Sequence, residues 1–100
     1  MTTRCLELVV FKIKDAGKAR EARRLAQQAV KLYDGFLSWA AYEGTEDASL
    51  FADIVEWRDL EAAKAASDMV MKDPRFAALM KEVDGIVTMS HFNMDQKIAA

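Results

Sequence analysis

The sequence contains little of what defines several common classes of protein. It has a single cysteine, Cys5, so it can form no internal disulfide and no metal site built from several thiolates. One proline and four glycines in 100 residues are too few for a collagen-like or low-complexity chain. No apolar run approaches the roughly 20 residues that cross a bilayer. We therefore expect a globular protein that is not a membrane protein.

Charge of either sign is not in excess, because 14 Lys and Arg oppose 16 Asp and Glu and leave a formal charge of -2. Proteins that bind nucleic acid or acidic membranes through their charge carry a basic surplus. We expect neither partner here. Residues 1–4 also lack the apolar run of a secretory signal, which favours a cytoplasmic location.

The sequence does contain the material for one compact domain. Apolar residues make up 52% of the chain and charged residues 30%, enough to build a core with a soluble surface. One hundred residues suit a single folding unit. We predict one domain over residues 1–100, with its core between about residues 5 and 94 and a loose C-terminal tail over residues 95–100.

Hydrophobic periodicity predicts the secondary structure. β-Branched and aromatic runs predict strands over residues 6–14, 36–43, 50–57 and 86–94. Apolar residues at helical spacing predict helices over residues 18–33, 60–71 and 73–83, with Gly35 ending the first in a left-handed conformation and Asp84-Gly85 ending the last. The order β-α-β-β-α-β, with the second helix in two parts, predicts a ferredoxin-like α+β fold, in which helices cover one face of an antiparallel sheet.

The first and third predicted strands are apolar on both sides. In the first strand Leu8 and Val10 share one side, while Val9 and Phe11 share the other. An antiparallel sheet with one face in water would alternate apolar and polar residues. The chain has too few helices to cover a second face, so a second copy of the same sheet is expected to cover it. The pattern therefore predicts a symmetric homodimer joined through sheet faces.

Several segments together resemble a known superfamily. They are LVVFKIK at residues 8–14, GFLS at 35–38, VEW at 55–57 followed by EAA at 61–63, and DPRF at 73–76. In these segments the chain resembles the dimeric α/β-barrel superfamily, and within it the antibiotic-biosynthesis-monooxygenase-like domains. The resemblance implies a homodimeric α/β barrel, in which two ferredoxin-like protomers press their sheets together and each protomer has a hydrophobic cleft between sheet and helices.

The resemblance also implies a range of activities. Several members are cofactor-independent monooxygenases that oxidise phenolic, anthrone-like or quinol substrates with dioxygen, others degrade haem, and many have no known activity. Many members place a histidine in the helix after the third strand, where this chain has Ala66. The helical positions that hold a Trp and a His in haem-degrading relatives correspond to Ala66 and Met80, and the first strand has no Asn. That haem site is absent, and no oxygenase mechanism carries over residue by residue.

His91 is the only histidine and the candidate catalytic residue. Histidine changes its charge near neutral pH and commonly serves as a general base. His91 lies in the last predicted strand in phase with Met89. If that side of the strand faces the cleft, His91 can take the proton from a phenol. The alternative is a structural or solvent-facing histidine.

Four further residues are candidates for the ligand pocket. Trp39 and Tyr42 have rings that stack on planar molecules, and Met80 and Met89 have flexible thioethers that adapt to apolar ligands. The alternative for each is filling of the core or of the dimer interface. We expect no metal site, because the carboxylates show no pairing at ligand spacing, and no cofactor.

Charged residues at two further places have competing interpretations. Asp53 interrupts an apolar strand, so it is either exposed near an edge or bonded within the site. Lys18, Arg20, Arg23 and Arg24 form a basic patch on the first helix, which we interpret as a solvated face because no aromatic residues interleave with it.

Two functions are consistent with the sequence. The first is a cofactor-independent monooxygenase that oxidises a small phenolic or quinol-type substrate with dioxygen. The second is a non-enzymatic, dimeric α/β-barrel protein that binds a small apolar or aromatic ligand or acts in a stress response. The resemblance supports the first, and the missing helical histidine supports the second.

Overall fold

The computed structural model describes residues 4–100 and confirms the ferredoxin-like β-α-β-β-α-β order. Residues 1–3, on which part of the expectation about a secretory signal rests, lie outside the described residues. The elements are β1 (Cys5–Ile13), α1 (Ala16–Val30), β2 (Phe36–Glu43), β3 (Leu50–Trp57), α2 (Leu60–Val70), a 3₁₀ turn (Pro74–Phe76), α3 (Ala77–Glu82) and β4 (Val83–Phe92). The predicted division of the second helical segment is therefore confirmed.

The four strands form one antiparallel sheet in the order β2-β3-β1-β4. The two central strands, β1 and β3, are those whose sequences are apolar on both sides. Val9 of β1 lies opposite Asp53 of β3 and Met89 of β4. Since directly opposite residues in a sheet point to the same face, these three side chains share the side that faces the helices.

Helix α1 begins at Ala16, two residues earlier than predicted. The side chain of Asp15 accepts a hydrogen bond of 2.9 Å from the backbone N–H of Lys18, which satisfies one of the free donors of the first turn. Asp15 is therefore the N-cap of α1, and Ala16 and Gly17 belong to its first turn. Asp59 caps α2 in the same way, through a 2.8 Å bond from the N–H of Ala62.

Gly35 occupies the left-handed conformation expected of it, with φ of 82°. A Cβ atom added at this position would lie 2.5 Å from Cβ of Ala62 in α2. The carbonyl of Gly35 also accepts a 2.8 Å bond from the N–H of Arg58. The turn after α1 is therefore held directly against the start of α2, and only glycine fits there.

Strand β4 corrects two predicted boundaries. It begins at Val83, three residues before the prediction, and ends at Phe92 rather than at residue 94. Asp84 and Gly85 were expected to separate the last helix from the last strand, but they lie within β4. Val83 already pairs with Ile13 of β1, and the register of the pairing shifts between Phe11 and Ile13. The positive φ of Gly85, 111°, is the conformation of this irregularity within the strand. Residues 93–100 form neither helix nor strand and are exposed.

The core lies between the sheet and α1. Small residues allow the helix to approach the strands closely, and those of its inner face are Ala19, Ala22, Ala26 and Ala29, each at most 7% exposed. Against them pack Phe11 of β1 and Phe51 of β3, which meet edge to face at 6.0 Å. The described helices include none that is long and apolar enough to span a membrane.

The opposite face of the sheet has no helix over it in residues 4–100. Leu8 of β1 lies beside Ile54 of β3, and Val10 lies beside Ala52, all half-buried on this open sheet face. Tyr42 of β2 and Phe92 of β4 extend the same face and are 53% and 47% exposed. The apolar second face predicted from β1 and β3 is thus present.

Candidate functional site

A cleft of about 350 Å³ lies between the helix-facing side of the sheet and the segment that contains α2, the 3₁₀ turn and α3. Its lining is mostly apolar and includes Val9, Phe11, Val55, Ala66, Val70, Met71, Phe76, Leu79 and Ile86. This volume is at the small end of the range for ligand pockets, about 300–1,000 Å³. The cleft therefore suits one small apolar molecule.

Three of the four predicted pocket residues line this cleft: Trp39, Met80 and Met89. Tyr42 does not. It pairs with Ala52, whereas Trp39 pairs with Val55, so the two aromatic residues of β2 lie on opposite faces of the sheet. Ala66 and Met80, which stand where the resemblance implies a Trp and a His in haem-degrading relatives, both line the cleft.

His91 lies behind one side of the cleft and contacts it through Glu7. The two residues are paired across β1 and β4, and Nε2 of His91 is 3.4 Å from Oε1 of Glu7. Glu7 lines the cleft, whereas His91 is not among the lining residues. The predicted candidate base therefore reaches the cleft through a carboxyl group that sequence reasoning did not identify.

The carboxyl of Glu7 is in an environment that changes its acidity. Its side chain is only 13% exposed, and burial raises the pKa of Glu7. His91 and the indole N–H of Trp57 act in the opposite direction, while the negative charge of Asp53 adds to the increase. A carboxyl with a raised pKa in an apolar cleft, beside a histidine, is an arrangement common in acid–base sites.

Asp53 forms a second carboxyl centre on the floor of the cleft. Its Oδ1 lies 2.9 Å from Nη2 of Arg23, and the two side chains are 8% and 6% exposed. Burial raises the pKa of Asp53, and Arg23 opposes that increase. Of the two alternatives for Asp53, the structure selects bonding within the site.

Arg23 is not part of a solvated patch, so that interpretation is wrong for this residue. Its Nη2 donates to the carbonyls of Tyr42 and Ala52 at 3.1 and 3.3 Å, and its guanidinium lies 4.3 Å from the ring centre of Phe51. It occupies the inner face of α1 with the small alanines. The signal was present in the sequence, because Arg23 is one residue after Ala22 and three before Ala26 in the apolar stripe.

An indole N–H approaches each of the two carboxyl groups. Trp57 lowers the pKa of Glu7 and Trp39 lowers that of Asp53. Both Nε1 atoms are buried, yet neither has a partner of full hydrogen-bond geometry among the described residues. Trp57 also packs edge to face on Phe36, with the ring centres 5.7 Å apart. Each carboxyl thus has one indole donor and one basic partner.

The ionisable groups that line the cleft in residues 4–100 are all carboxyls, those of Glu7, Asp53 and Asp68. No set of three or more His, Cys, Asp or Glu side chains in that part of the chain is placed to hold a metal ion. Cys5 is buried, and burial raises the pKa of its thiol. The chemistry that the cleft offers is therefore binding of an apolar molecule beside two polar centres, one of which pairs with histidine.

Solved structures with this fold are numerous. SnoaB, a cofactor-independent oxygenase from Streptomyces nogalater, is similar with a TM-score of 0.73 and 14% identity over 98% of this chain and 97% of its own. A candidate antibiotic biosynthesis monooxygenase from Bordetella bronchiseptica is similar with a TM-score of 0.76 and 10% identity, over 98% of this chain and 100% of its own. Another candidate monooxygenase of this kind, from Nitrosomonas europaea, has a TM-score of 0.74 and 12% identity, over 95% of this chain and 93% of its own.

These identities are low, so the similarity establishes the fold and not the chemistry. No protein-family model and no curated protein sequence matches the chain. The chain nevertheless has, over nearly its whole length, the fold of antibiotic biosynthesis monooxygenase domains, as the sequence resemblance implied.

Proposed function

We propose that the protein is a cofactor-independent monooxygenase that oxidises a small phenolic or quinol-type substrate with dioxygen in this cleft. The observation that carries the proposal is the Glu7–His91 pair, because Glu7 brings a carboxyl of raised pKa, beside a histidine, into a mostly apolar cleft. The similarity in fold to a cofactor-independent oxygenase supports the same reaction class.

The proposed role of Glu7 is that of general base. Its carboxylate accepts the phenolic proton of the substrate, and the raised pKa makes this transfer less unfavourable than it would be for an ordinary carboxylate. His91, 3.4 Å away, positions Glu7 and stabilises its carboxylate form. The proposal therefore assigns the role of base to Glu7 in place of His91, which acts through Glu7.

The oxidation needs no external reductant. The deprotonated substrate gives one electron to dioxygen, and the resulting superoxide and substrate radical combine to form a carbon–oxygen bond. Loss of water from this peroxide converts the ring C–H carbon that bound oxygen, which is a CH₂ group in the keto tautomer, to a carbonyl. One oxygen atom stays in the product, the other leaves as water, and the substrate supplies all four electrons. The protein must deprotonate and orient the substrate and keep the cleft dry.

The proposal is tested by dioxygen uptake with a panel of quinols and anthrones. The wild-type protein is expected to consume one dioxygen per substrate, and Glu7→Gln to lower kcat by about 10²–10⁴-fold because the base is lost while the shape is kept. Glu46→Gln is the matched control, since Glu46 is exposed in the β2–β3 turn. Equal rates in Glu7→Gln and wild type would exclude Glu7 as the base.

The second candidate function is non-enzymatic binding of a small apolar ligand. The observation that favours it is the mostly apolar lining, with alanine and methionine at the helical positions Ala66 and Met80. Binding of apolar ligands without dioxygen uptake across the panel would establish this function in place of the first.

The active form is proposed to be a homodimer in the cytoplasm, joined through the open sheet face. Leu8, Val10 and Ile54 are half-buried at the centre of that face, and Tyr42 and Phe92 are exposed at its two edges. A continuous apolar surface of this kind is typical of an interface between subunits.

A further inference from the structure

The centre formed by Asp53, Arg23 and Trp39 is not used in the proposed proton transfer. Asp53 is 5% exposed and lines the cleft. Nη2 of Arg23 lies 2.9 Å from Oδ1 of Asp53, but the angles of this contact do not meet hydrogen-bond geometry. The indole Nε1 of Trp39 is buried beside Asp53 and lowers its pKa. Asp53 therefore brings to the wall of the cleft a carboxyl group that the proposed proton transfer does not use.

The charge of the cleft restricts what that ligand can be. The lining carboxyls of Glu7, Asp53 and Asp68 meet no Lys, Arg or His in the lining formed by residues 4–100. Arg23 and His91 contact the first two carboxyls but do not line the cleft, so neither faces the ligand. In an apolar cavity, a ligand carboxylate placed next to these groups would be repelled strongly and would lose its hydration.

Two carboxyls are available to hydroxyl donors of one molecule. Glu7 lies opposite Val55, so Asp53 is its diagonal neighbour on the adjacent strand. Diagonal neighbours are separated by about 7–8 Å in a sheet. The two side chains are therefore close enough for one small aromatic molecule to contact both.

We infer that the cleft selects its ligand by charge: it takes a neutral aromatic molecule whose hydroxyl donates a hydrogen bond to Asp53, and it rejects the corresponding carboxylate. Asp53 is thus a specificity-determining residue, and Arg23, which contacts it at 2.9 Å, presents no positive charge to the ligand. This inference rests on the proposed use of the cleft as the substrate site, but not on any reaction with dioxygen.

The test compares three probes of nearly equal size by equilibrium dialysis at neutral pH: 2-naphthol, which is neutral and donates a hydrogen bond, 2-methoxynaphthalene, which is neutral without a donor, and the 2-naphthoate anion. The wild type is expected to bind 2-naphthol more tightly than 2-methoxynaphthalene, and at least about tenfold more tightly than 2-naphthoate. Equal or tighter binding of 2-naphthoate, or no binding of 2-naphthol, would overturn the inference.

Two variants test whether the carboxyls of Asp53 and Glu7 cause the preference for 2-naphthol over 2-naphthoate. Asp53→Asn leaves the charge of Arg23 unopposed, so the preference is expected to reverse toward 2-naphthoate, and the anion is expected to raise the Tm of this variant more than 2-naphthol does. If Asp53→Asn does not fold, Glu7→Gln supplies the test, because it removes a charge from the lining and is expected to reduce the discrimination at least threefold. Glu46→Gln is expected to keep the wild-type ratio. If the ratio of the affinities for 2-naphthol and 2-naphthoate is unchanged in Asp53→Asn and Glu7→Gln, the carboxyls do not cause the selection.

The outcomes separate this inference from the proposed function. Selective binding of 2-naphthol without dioxygen uptake would refute the oxygenase and leave the charge selection standing. Dioxygen uptake by a protein that binds 2-naphthol and 2-naphthoate equally would refute the selection alone.

Discussion

Replacement of Arg23 by methionine is the most informative perturbation of the buried ion pair. Arg23→Met keeps most of the apolar stem that packs in the inner face of α1 but removes the guanidinium. The carboxylate of Asp53 then loses a partner 2.9 Å away, and the carbonyls of Tyr42 and Ala52 lose their donor from Arg23. Both charged side chains are less than 10% exposed, so water replaces the lost partner poorly.

The expected loss of unfolding free energy at neutral pH is about 3–5 kcal/mol, the usual effect of breaking a buried ion pair from one side. Most of this loss comes from an unpaired buried charge. The double variant Arg23→Met/Asp53→Asn removes that charge as well, so it is expected to be more stable than Arg23→Met alone.

The pH dependence gives a second check. Burial already raises the pKa of Asp53, and loss of Arg23 raises it further. The penalty in Arg23→Met is therefore absent below the pKa of Asp53 in the unfolded chain, grows as the pH rises toward the folded value, and is complete above it. The deficit of Arg23→Met relative to the double variant should shrink as the pH is lowered through that window.

The assay is urea unfolding of the wild type, both single variants and the double variant at one protomer concentration, because the proposed association of protomers would also contribute to stability. The reasoning would be refuted by a loss below about 1 kcal/mol in Arg23→Met at neutral pH. It would be refuted equally by additive effects of the two single substitutions, since these two side chains are in direct contact.

Two further predictions concern the fold and the assembly. Gly35→Ala is expected to lower the unfolding free energy by at least about 1–2 kcal/mol, because Gly35 has φ of 82° and Ala62 occupies the space that Cβ would need. The control Gly17→Ala, within α1 and with space for a Cβ, should be neutral or stabilising by up to about 1 kcal/mol in the same urea titration, and equal losses in the two variants would contradict the argument. Light scattering at micromolar concentration should give twice the chain mass of 11.2 kDa, and Leu8→Lys on the open sheet face should give the monomer. A monomer in the wild type would refute the proposed interface.

The fold could be predicted because its signals are local and agree with one another. Asp59 caps α2, Gly35 ends the turn after α1, and β-branched and aromatic runs mark the strands. The error at Asp84-Gly85 has a clear physical cause. Pairing of Val83 with Ile13 supplies backbone hydrogen bonds that hold this turn-forming pair within a strand, and local propensity contains no information about that partner.

The candidate site was less predictable because it depends on pairs of residues distant in sequence. Asp53 and Arg23 are each unusual in an apolar stripe, but their contact joins α1 to β3. No pattern in the sequence distinguishes Glu7 from other polar residues of a strand. Its importance follows only from the register that places it opposite His91. The face occupied by Tyr42 likewise depends on the register of β2 with β3.

The most direct test of the central claim, that Glu7 held by His91 is the base of the cleft, is the pH dependence of kcat/KM for dioxygen uptake in the wild type and in His91→Gln. A carboxylate base makes the rate rise as the pH passes through the pKa of Glu7. Since His91 lowers that pKa, the rise in His91→Gln should move to higher pH while the plateau at high pH is largely retained. A rise at the same pH in both proteins, or no uptake at any pH, would contradict the account.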